Sequence, residues 1–214
     1  MHTIDICNMA LNMLGMNSIT RLNEDNNSAR ICKNLFPACR DRVLRDHSWS
    51  FAAKKFSLTR NDIDSLDPEL PIVCTLPGDC IAVRYLLYNM PYRSWGRNIM
   101  VQALPATLIY TARIEDSTLF DVSFTEALQY MLCAEMAMAN TLNGQLVQMY
   151  RQEYIQRLAV ARSIDSSENR FAYKREKRSS SWIAARSAGS SLNAVENSAG
   201  TPVNWVQATE GKQV

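Results

Sequence analysis

The stretch SFTEALQYMLCAEMAMANTL, residues 123 to 142, decides the fold. Ser123 and Glu126 stand at the spacing of a capping box and predict that a helix begins there. Glu126 and Glu135 are the only charged residues in the stretch, so the predicted helix has no polar face. Such a helix must be covered on most sides. It is therefore either the central helix of a bundle or a helix that also packs against another subunit.

The residues after this stretch predict a partner helix. From 145 to 164 the apolar residues recur at helical spacing, and Glu153 and Arg157 form an i,i+4 surface pair. The short connection near Gly144 makes the two helices an antiparallel hairpin. Glu135 is on the apolar side of the first helix, so we expect it to pair with an arginine of the next helix.

Two further helices are predicted near the N-terminus. The first has Thr3 as its N-cap and ends at Gly15. The second follows the capping residues 26 to 28 and contains Pro37, which removes a hydrogen bond and predicts a kink or two shorter helices. Its charged outer face is typical of a solvated surface, with two i,i+4 pairs: Asp41 with Arg45 and Arg42 with Asp46.

Between these helices and the central stretch, residues 51 to 113 have a different character. Five of the seven prolines fall between positions 68 and 105, and short runs of β-forming residues alternate with turns. The runs are 72 to 76, 81 to 88, 99 to 104 and 107 to 114. This pattern indicates a small β region inserted between helices.

The end of the chain changes composition again. Residues 165 to 214 contain 9 serines and no periodic apolar stripe, so they cannot bury enough surface to fold alone. Aromatic and basic residues on such a segment suit an arm that orders against a partner protein. They are Phe171, Tyr173, Lys174, Arg175, Lys177, Arg178, Trp182 and Trp205.

Together these patterns predict a mainly α protein. An antiparallel helical bundle would comprise residues 1 to 50 and 114 to 164. A small β region at 51 to 113 would be inserted into it, and an extended C-terminal arm would run from 165 to 214.

Charge and ligand types exclude several functions. The formal net charge is +2, with 16 basic and 16 acidic residues in 1 to 164, whereas a protein that binds phosphates carries a far larger basic excess. The six cysteines include no CxxC pair, and the two histidines are far apart, so we expect no metal and no cofactor. No uncharged run exceeds 15 residues and Asp5 interrupts any N-terminal apolar signal, so we expect a cytosolic start and no membrane span.

No nucleotide-binding, zinc-protease or serine-hydrolase motif occurs, so the enzyme hypotheses rest on isolated residues. Glu135 could act as a buried general acid, and Glu24 with Asp25 as a glycosidase pair, but that chemistry needs opposed carboxylates. A nucleophile formed by His47 with Cys32 or Cys39 is disfavoured because the helical spacing points both thiols inward. Large aromatics at a junction between helix and strand usually fill the core, which is the interpretation for Trp49 and Phe51.

Several blocks of the sequence resemble one protein family. They are ALNMLG at 10 to 15, Ile19, NED at 23 to 25, ARIC at 29 to 32, RDRVLR at 40 to 45, HSWSFA at 47 to 52 and LPGDCIAV at 76 to 83. This order is similar to that of bacteriophage head-to-tail adaptors of the tail tubular protein A type, including the family's Leu-Pro-x-Asp-Cys motif in the β region. The matching residues span about 4 to 88, and the core motif residues are Leu14, Gly15, Arg40, Leu44, Trp49 and Phe51.

The resemblance implies a structural, non-enzymatic subunit in the virion. Twelve copies would form a ring at the head-to-tail junction, with the C-terminal arm docked on the portal protein and a downstream tail (nozzle) protein beneath. Double-stranded DNA would pass through the lumen only as cargo, and the subunit would be made in the host bacterial cytoplasm. Two alternatives stay open: an adaptor with peptidoglycan hydrolase (muramidase) activity, and a small helical nucleic-acid-binding regulator.

Overall fold

A computed structural model of the chain describes residues 1 to 140 and 143 to 168. Their four α-helices occur in two pairs, one before and one after a run of strands. The helices are α1 (Thr3–Met13), α2 (Asn27–Asp46), α3 (Val122–Asn140) and α4 (Gly144–Glu168). Among these helices, none is long and apolar enough to cross a membrane.

Six strands form two antiparallel sheets of three strands each within the described residues. The first sheet has the order β1-β6-β3 and the second the order β2-β5-β4. The strands are β1 (Ala53–Ser57), β2 (Ile72–Thr75), β3 (Cys80–Leu86), β4 (Tyr92–Trp95), β5 (Asn98–Val101) and β6 (Thr107–Ala112). Register shifts between Cys80 and Ala82 and between Val83 and Tyr85 interrupt the pairing of β3 with β6.

The predicted fold class, a mainly α bundle with a small β insertion, is wrong. About 50% of the described residues are helical and 19% lie in strands, so the fold is mixed α/β. The sheets also share the main hydrophobic core with the helices, since Leu86, Val101 and Leu108 belong to the same buried cluster as Leu11 and Leu132. Strands β1 and β4 were missed because β1 is exposed along its whole length and β4 along most of it, which gives no alternating apolar pattern.

The hairpin of α3 and α4 is antiparallel, as its ion pairs show. Glu126 near the start of α3 meets Arg157, while Glu135 further along meets Arg151, which lies earlier in α4. Helix α3 packs against α1, α2 and α4, and its large side chains Phe124, Leu128, Leu132 and Met136 are fully buried. The apolar helix therefore takes the central place that its sequence predicts.

The helix ends correct several details of the predictions. Asp121, not Ser123, caps α3, because its Oδ1 accepts the backbone N–H groups of Ser123 and Phe124 at 2.8 and 3.4 Å. His2, not Thr3, is the N-cap residue of α1. Helix α2 continues through Pro37 as one helix of 20 residues rather than two.

Helix α4 runs to Glu168, so residues 165 to 168, assigned to the arm, are helical. The other residues of the predicted arm, including all eight of its candidate docking residues, lie outside the described part of the chain.

Candidate functional site

The six motif residues lie in the core or at its edge. Leu44 and Trp49 have no exposed surface, and Leu14 and Phe51 pack against the same cluster. Gly15 follows α1 with φ of +67°, a left-handed conformation that glycine adopts without strain. Arg40, which is 8% exposed, binds the neighbouring Asp41 at 2.8 Å. These positions support the fold, and they do not converge on a cavity.

An aromatic cluster fixes the chain where α2 leads into β1. The Trp49 ring packs edge-on against Phe124 at 5.1 Å between centroids, and Phe51 packs against Phe124 and Phe120 at 5.1 and 6.1 Å. The indole Nε1 of Trp49 donates to the Val43 carbonyl at 2.8 Å, so its polar atom is satisfied inside the core. The interpretation of Trp49 and Phe51 as core residues is confirmed for Trp49, and Phe51 is partly buried.

The opposite side of this junction is polar and is held by Asp165 of α4. One carboxylate oxygen accepts from the backbone N–H and the hydroxyl of Ser50, at 3.0 and 2.5 Å. The other lies 2.9 Å from Nε2 of His47. Burial alone would raise the pKa of Asp165, but the Ser50 and His47 hydrogen bonds outweigh it and hold that pKa below its usual value. The contact fastens the last turn of α4 to the segment after α2.

The serine, histidine and aspartate of this junction are not arranged as a catalytic triad. In a triad the imidazole lies between the carboxylate and the hydroxyl, so that it can take the hydroxyl proton. Here Asp165 lies between Ser50 and His47, and both contact the carboxylate. The hydroxyl of Ser50 therefore faces an acceptor that keeps it protonated.

The other catalytic candidates are held in structural contacts. Glu135 lies between Arg42 and Arg151 at 3.8 and 3.7 Å, which confirms its expected pairing with an arginine of the next helix. Glu24 closes a turn: it accepts from the side chain and backbone of Thr20, from Arg21 and from Asn26, and these bonds, the Thr20 hydroxyl first, lower the pKa of Glu24. Glu24 and Asp25 line the same cleft of about 510 Å³, but as neighbours in one turn and beside Arg30 and Lys33.

The thiols proposed as nucleophiles are buried. Cys32 and Cys39 are 0% and 3% exposed, and burial raises the pKa of Cys39 to about 12. His47 contacts Asp165 and the Trp49 ring instead of a thiol. Among the described residues, no group of three or more potential ligands could hold a metal ion.

A cleft that the sequence did not predict lies beside α2. We call it the arginine cleft; it measures about 370 Å³ and is lined by Asp41, Arg42, Arg45, Cys80, Ile81 and Arg113. The two carboxylate oxygens of Asp41 are taken by Arg40 and Arg113, each at 2.8 Å. Neither predicted i,i+4 pair of α2 forms: Asp41 binds Arg113 just after β6, and Arg45 donates to the Ile81 carbonyl of β3. Arg42 instead meets Glu135 of α3, and Asp46 accepts from the Tyr154 hydroxyl of α4. The sequence contains one indication of this cleft, because Arg113 directly follows an apolar strand.

Asp165 was also missed, although the sequence contains a signal for it. Residues Tyr154, Leu158, Ala161 and Asp165 follow one another at helical spacing, and all four are buried. A carboxylate on an apolar stripe indicates a buried polar contact. Its partners could not be predicted, because Ser50 is 115 positions away in the sequence.

No family model matches this chain, and no curated protein matches it either.

Proposed function

We propose that this chain is a structural subunit of a bacteriophage head-to-tail adaptor, assembled as a ring of twelve copies between the portal and the tail. In this proposal the ring joins the portal protein to a downstream tail protein, and double-stranded DNA passes through its lumen. The subunit would be located in the virion and made in the host cytoplasm.

The observation that carries the proposal is that the block of family resemblance at 76 to 83 meets the earlier blocks at 40 to 45 and 47 to 52 in space. Arg45, in the block at 40 to 45, donates to the Ile81 carbonyl at 3.5 Å, and Ile81 belongs to the block at 76 to 83. Arg84, directly after the block at 76 to 83, donates at 2.5 Å to the carbonyl of Trp49, which belongs to the block at 47 to 52. Residues that contact one another in this way would be retained together in a family of proteins that share this fold. The contact supports the resemblance as one to a shared fold.

The contacts of the potentially catalytic carboxylates favour a structural role over an enzymatic one. Glu24, Glu135 and Asp165 each use their oxygens in contacts that hold turns or helices together. A general acid needs a carboxyl group that faces a substrate. These contacts therefore favour the adaptor over the muramidase alternative.

The test of the proposal is assembly on a portal ring from a phage that carries this gene. The full chain is mixed with purified portal and imaged by electron microscopy, and the mass of the complex is measured. We expect one added ring with one subunit for each portal subunit. A portal that adds no density, or a mass that shows no binding, would contradict the proposal.

The predicted arm gives a second test on the same complex. Trp182→Ala should weaken portal capture at all salt concentrations, because a buried Trp anchor contributes about 2 kcal/mol or more. Arg175→Ala with Arg178→Ala should slow association mainly at low salt, because salt screens exposed charges. If both variants bind like the parent, the arm is not the docking element.

The muramidase alternative has a test of its own. Zymography of the purified chain on peptidoglycan should give no clearing zone, with lysozyme as the positive control. A zone that disappears in Glu135→Gln would support the enzyme and contradict the purely structural proposal.

A further inference from the structure

The arginine cleft carries more positive charge than its own chain neutralises. Arg42 is 62% exposed and reaches Glu135 only at 3.8 Å, while Arg45 reaches the Ile81 carbonyl only at 3.5 Å. Each of these contacts uses only part of a guanidinium that has five N–H donors. The cleft therefore presents donors suited to carboxylates from outside the chain.

A second surface carries the opposite charge. Residues 61 to 69, NDIDSLDPE, connect β1 to β2 and are called the acidic loop here. Asp67 binds Arg93 at 2.9 Å, but within the described ranges no ion pair involves the exposed Asp62, Asp64 or Glu69. The loop also exposes two apolar side chains beside these carboxylates, Ile63 at 45% and Leu66 at 66%. Such a mixture of charge and apolar surface is suited to a protein contact.

The two surfaces lie at opposite ends of strand β6. The chain enters the acidic loop at Leu58, whose N–H donates to Ala106 just before β6 begins. Arg113 follows the last residue of β6, and its N–H donates to Asp79. A strand of six residues is about 20 Å long. The β-bridge between Arg60 and Cys74 and the hydrogen bond from the Asn61 N–H to the Val73 carbonyl hold the start of the loop against β2. The end of the loop lines a separate pocket with Tyr92, Arg93 and Gln102, and this lining shares no residue with the arginine cleft.

We infer that the acidic loop of one copy binds in the arginine cleft of the next copy. Asp62 and Asp64 accept from Arg42 and Arg45, and Leu66 packs at the rim. Because the two surfaces differ, the contact is heterologous, and repetition of such a contact closes a ring or extends a filament. The inference rests on the proposed ring, and it names the surface through which neighbouring subunits recognise each other.

A nucleic-acid duplex fits the cleft less well than a protein loop. A duplex presents rows of phosphates and is bound by an extended basic face. Here Asp41 itself lines the cleft. Asp79 is also close, since its carbonyl accepts from the Arg113 N–H while its carboxylate binds Lys54. Both oxygens of Asp41 are already paired with Arg40 and Arg113 at 2.8 Å, so a short acidic segment bound to Arg42 and Arg45 meets a neutralised carboxylate.

The experiment measures self-association of the full chain by sedimentation velocity over a concentration series at low and high salt. The cleft variant is Arg42→Gln with Arg45→Gln, and the loop variant is Asp62→Asn with Asp64→Asn. The matched control is Arg30→Gln, an exposed arginine on the same helix about 22 Å from Arg45. We expect the parent and the control to associate at low salt, and each variant to associate about tenfold more weakly.

A mixture of the two variants gives the sharpest result. The intact loop of the cleft variant should bind the intact cleft of the loop variant, which yields a one-to-one pair that does not grow further. A parent that stays monomeric at low salt, a cleft variant that associates like the parent, or a control that is weakened equally would each overturn the inference. So would loss of binding to a DNA duplex in the cleft variant with unchanged self-association. Portal capture with failed self-association would leave the proposed function standing and remove this interface alone.

Discussion

The segment from 47 to 51 is held on one side by aromatic rings and on the other by one carboxylate. On the apolar side, Trp49 and Phe51 pack against Phe124 of α3. On the polar side, His47 and Ser50 contact Asp165 of α4. The apolar contact depends on shape and burial, so we expect it to be insensitive to pH. The polar contact depends on charge and direction, so it should be weaker and pH-dependent.

The largest expected effect is on the apolar side. Trp49→Ala removes the largest fully buried side chain of the described residues and should lower the free energy of unfolding by about 3 to 5 kcal/mol, because a cavity remains. Urea denaturation followed by circular dichroism measures it. Tyr88→Ala is the control, since Tyr88 is 94% exposed and its loss should change stability by under about 0.5 kcal/mol. Equal losses of stability at the two positions would contradict the expected role of the aromatic packing.

The polar contacts of Asp165 should contribute less to the free energy of unfolding than the packing of Trp49. Asp165→Ala leaves the Ser50 and His47 donors without their shared acceptor and should lower the free energy of unfolding by about 2 kcal/mol. Asp64→Ala, at an exposed carboxylate, is the control and should cost under about 0.5 kcal/mol. A loss at Asp165 as large as that of Trp49→Ala would mean that the carboxylate, not the rings, holds the junction.

The two sides should also separate by pH. The pKa of Asp165 is lower in the folded chain than its value of 3.8 in the absence of such contacts, so its contribution is fully present above pH 3.8. The contribution is lost as the pH falls through the folded pKa. The stability difference between parent and Asp165→Asn should therefore be constant near neutral pH and shrink below pH 3.8. Repeating the series with His47→Asn tests Asp165 without its imidazole partner, and the Trp49→Ala difference should stay level throughout.

The smallest effect is expected where a carboxylate is exposed. Glu126 and Arg157 pair at 2.7 Å, but their side chains are 45% and 41% exposed. Glu126→Gln should change the free energy of unfolding by under about 1 kcal/mol, and added salt should reduce the difference further. A loss that matches Asp165→Ala would show that exposure does not distinguish the two carboxylates.

The sequence predicted the apolar side of the molecule better than the polar side. The burial of Trp49 and the central place of α3 follow from local patterns, because apolar residues at helical spacing must face a core. The partners of Asp165 and Asp41 could not be predicted, since each contact joins residues far apart in the chain. Strands β1 and β4 were missed for a related reason: their place in a sheet depends on a neighbouring strand and not on their own pattern.

The position of Cys80 in the arginine cleft offers a chemical reporter that is already in the chain. The other five thiols are buried, whereas Cys80 is partly exposed and lines the cleft with Arg45 and Arg113. Burial raises the pKa of Cys80, while nearby Arg97 partly offsets this, so alkylation at neutral pH should be slow enough to follow by mass spectrometry. A single alkyl group added per native chain would mark an open cleft. A neighbour seated over Cys80 would slow that reaction without any engineered label.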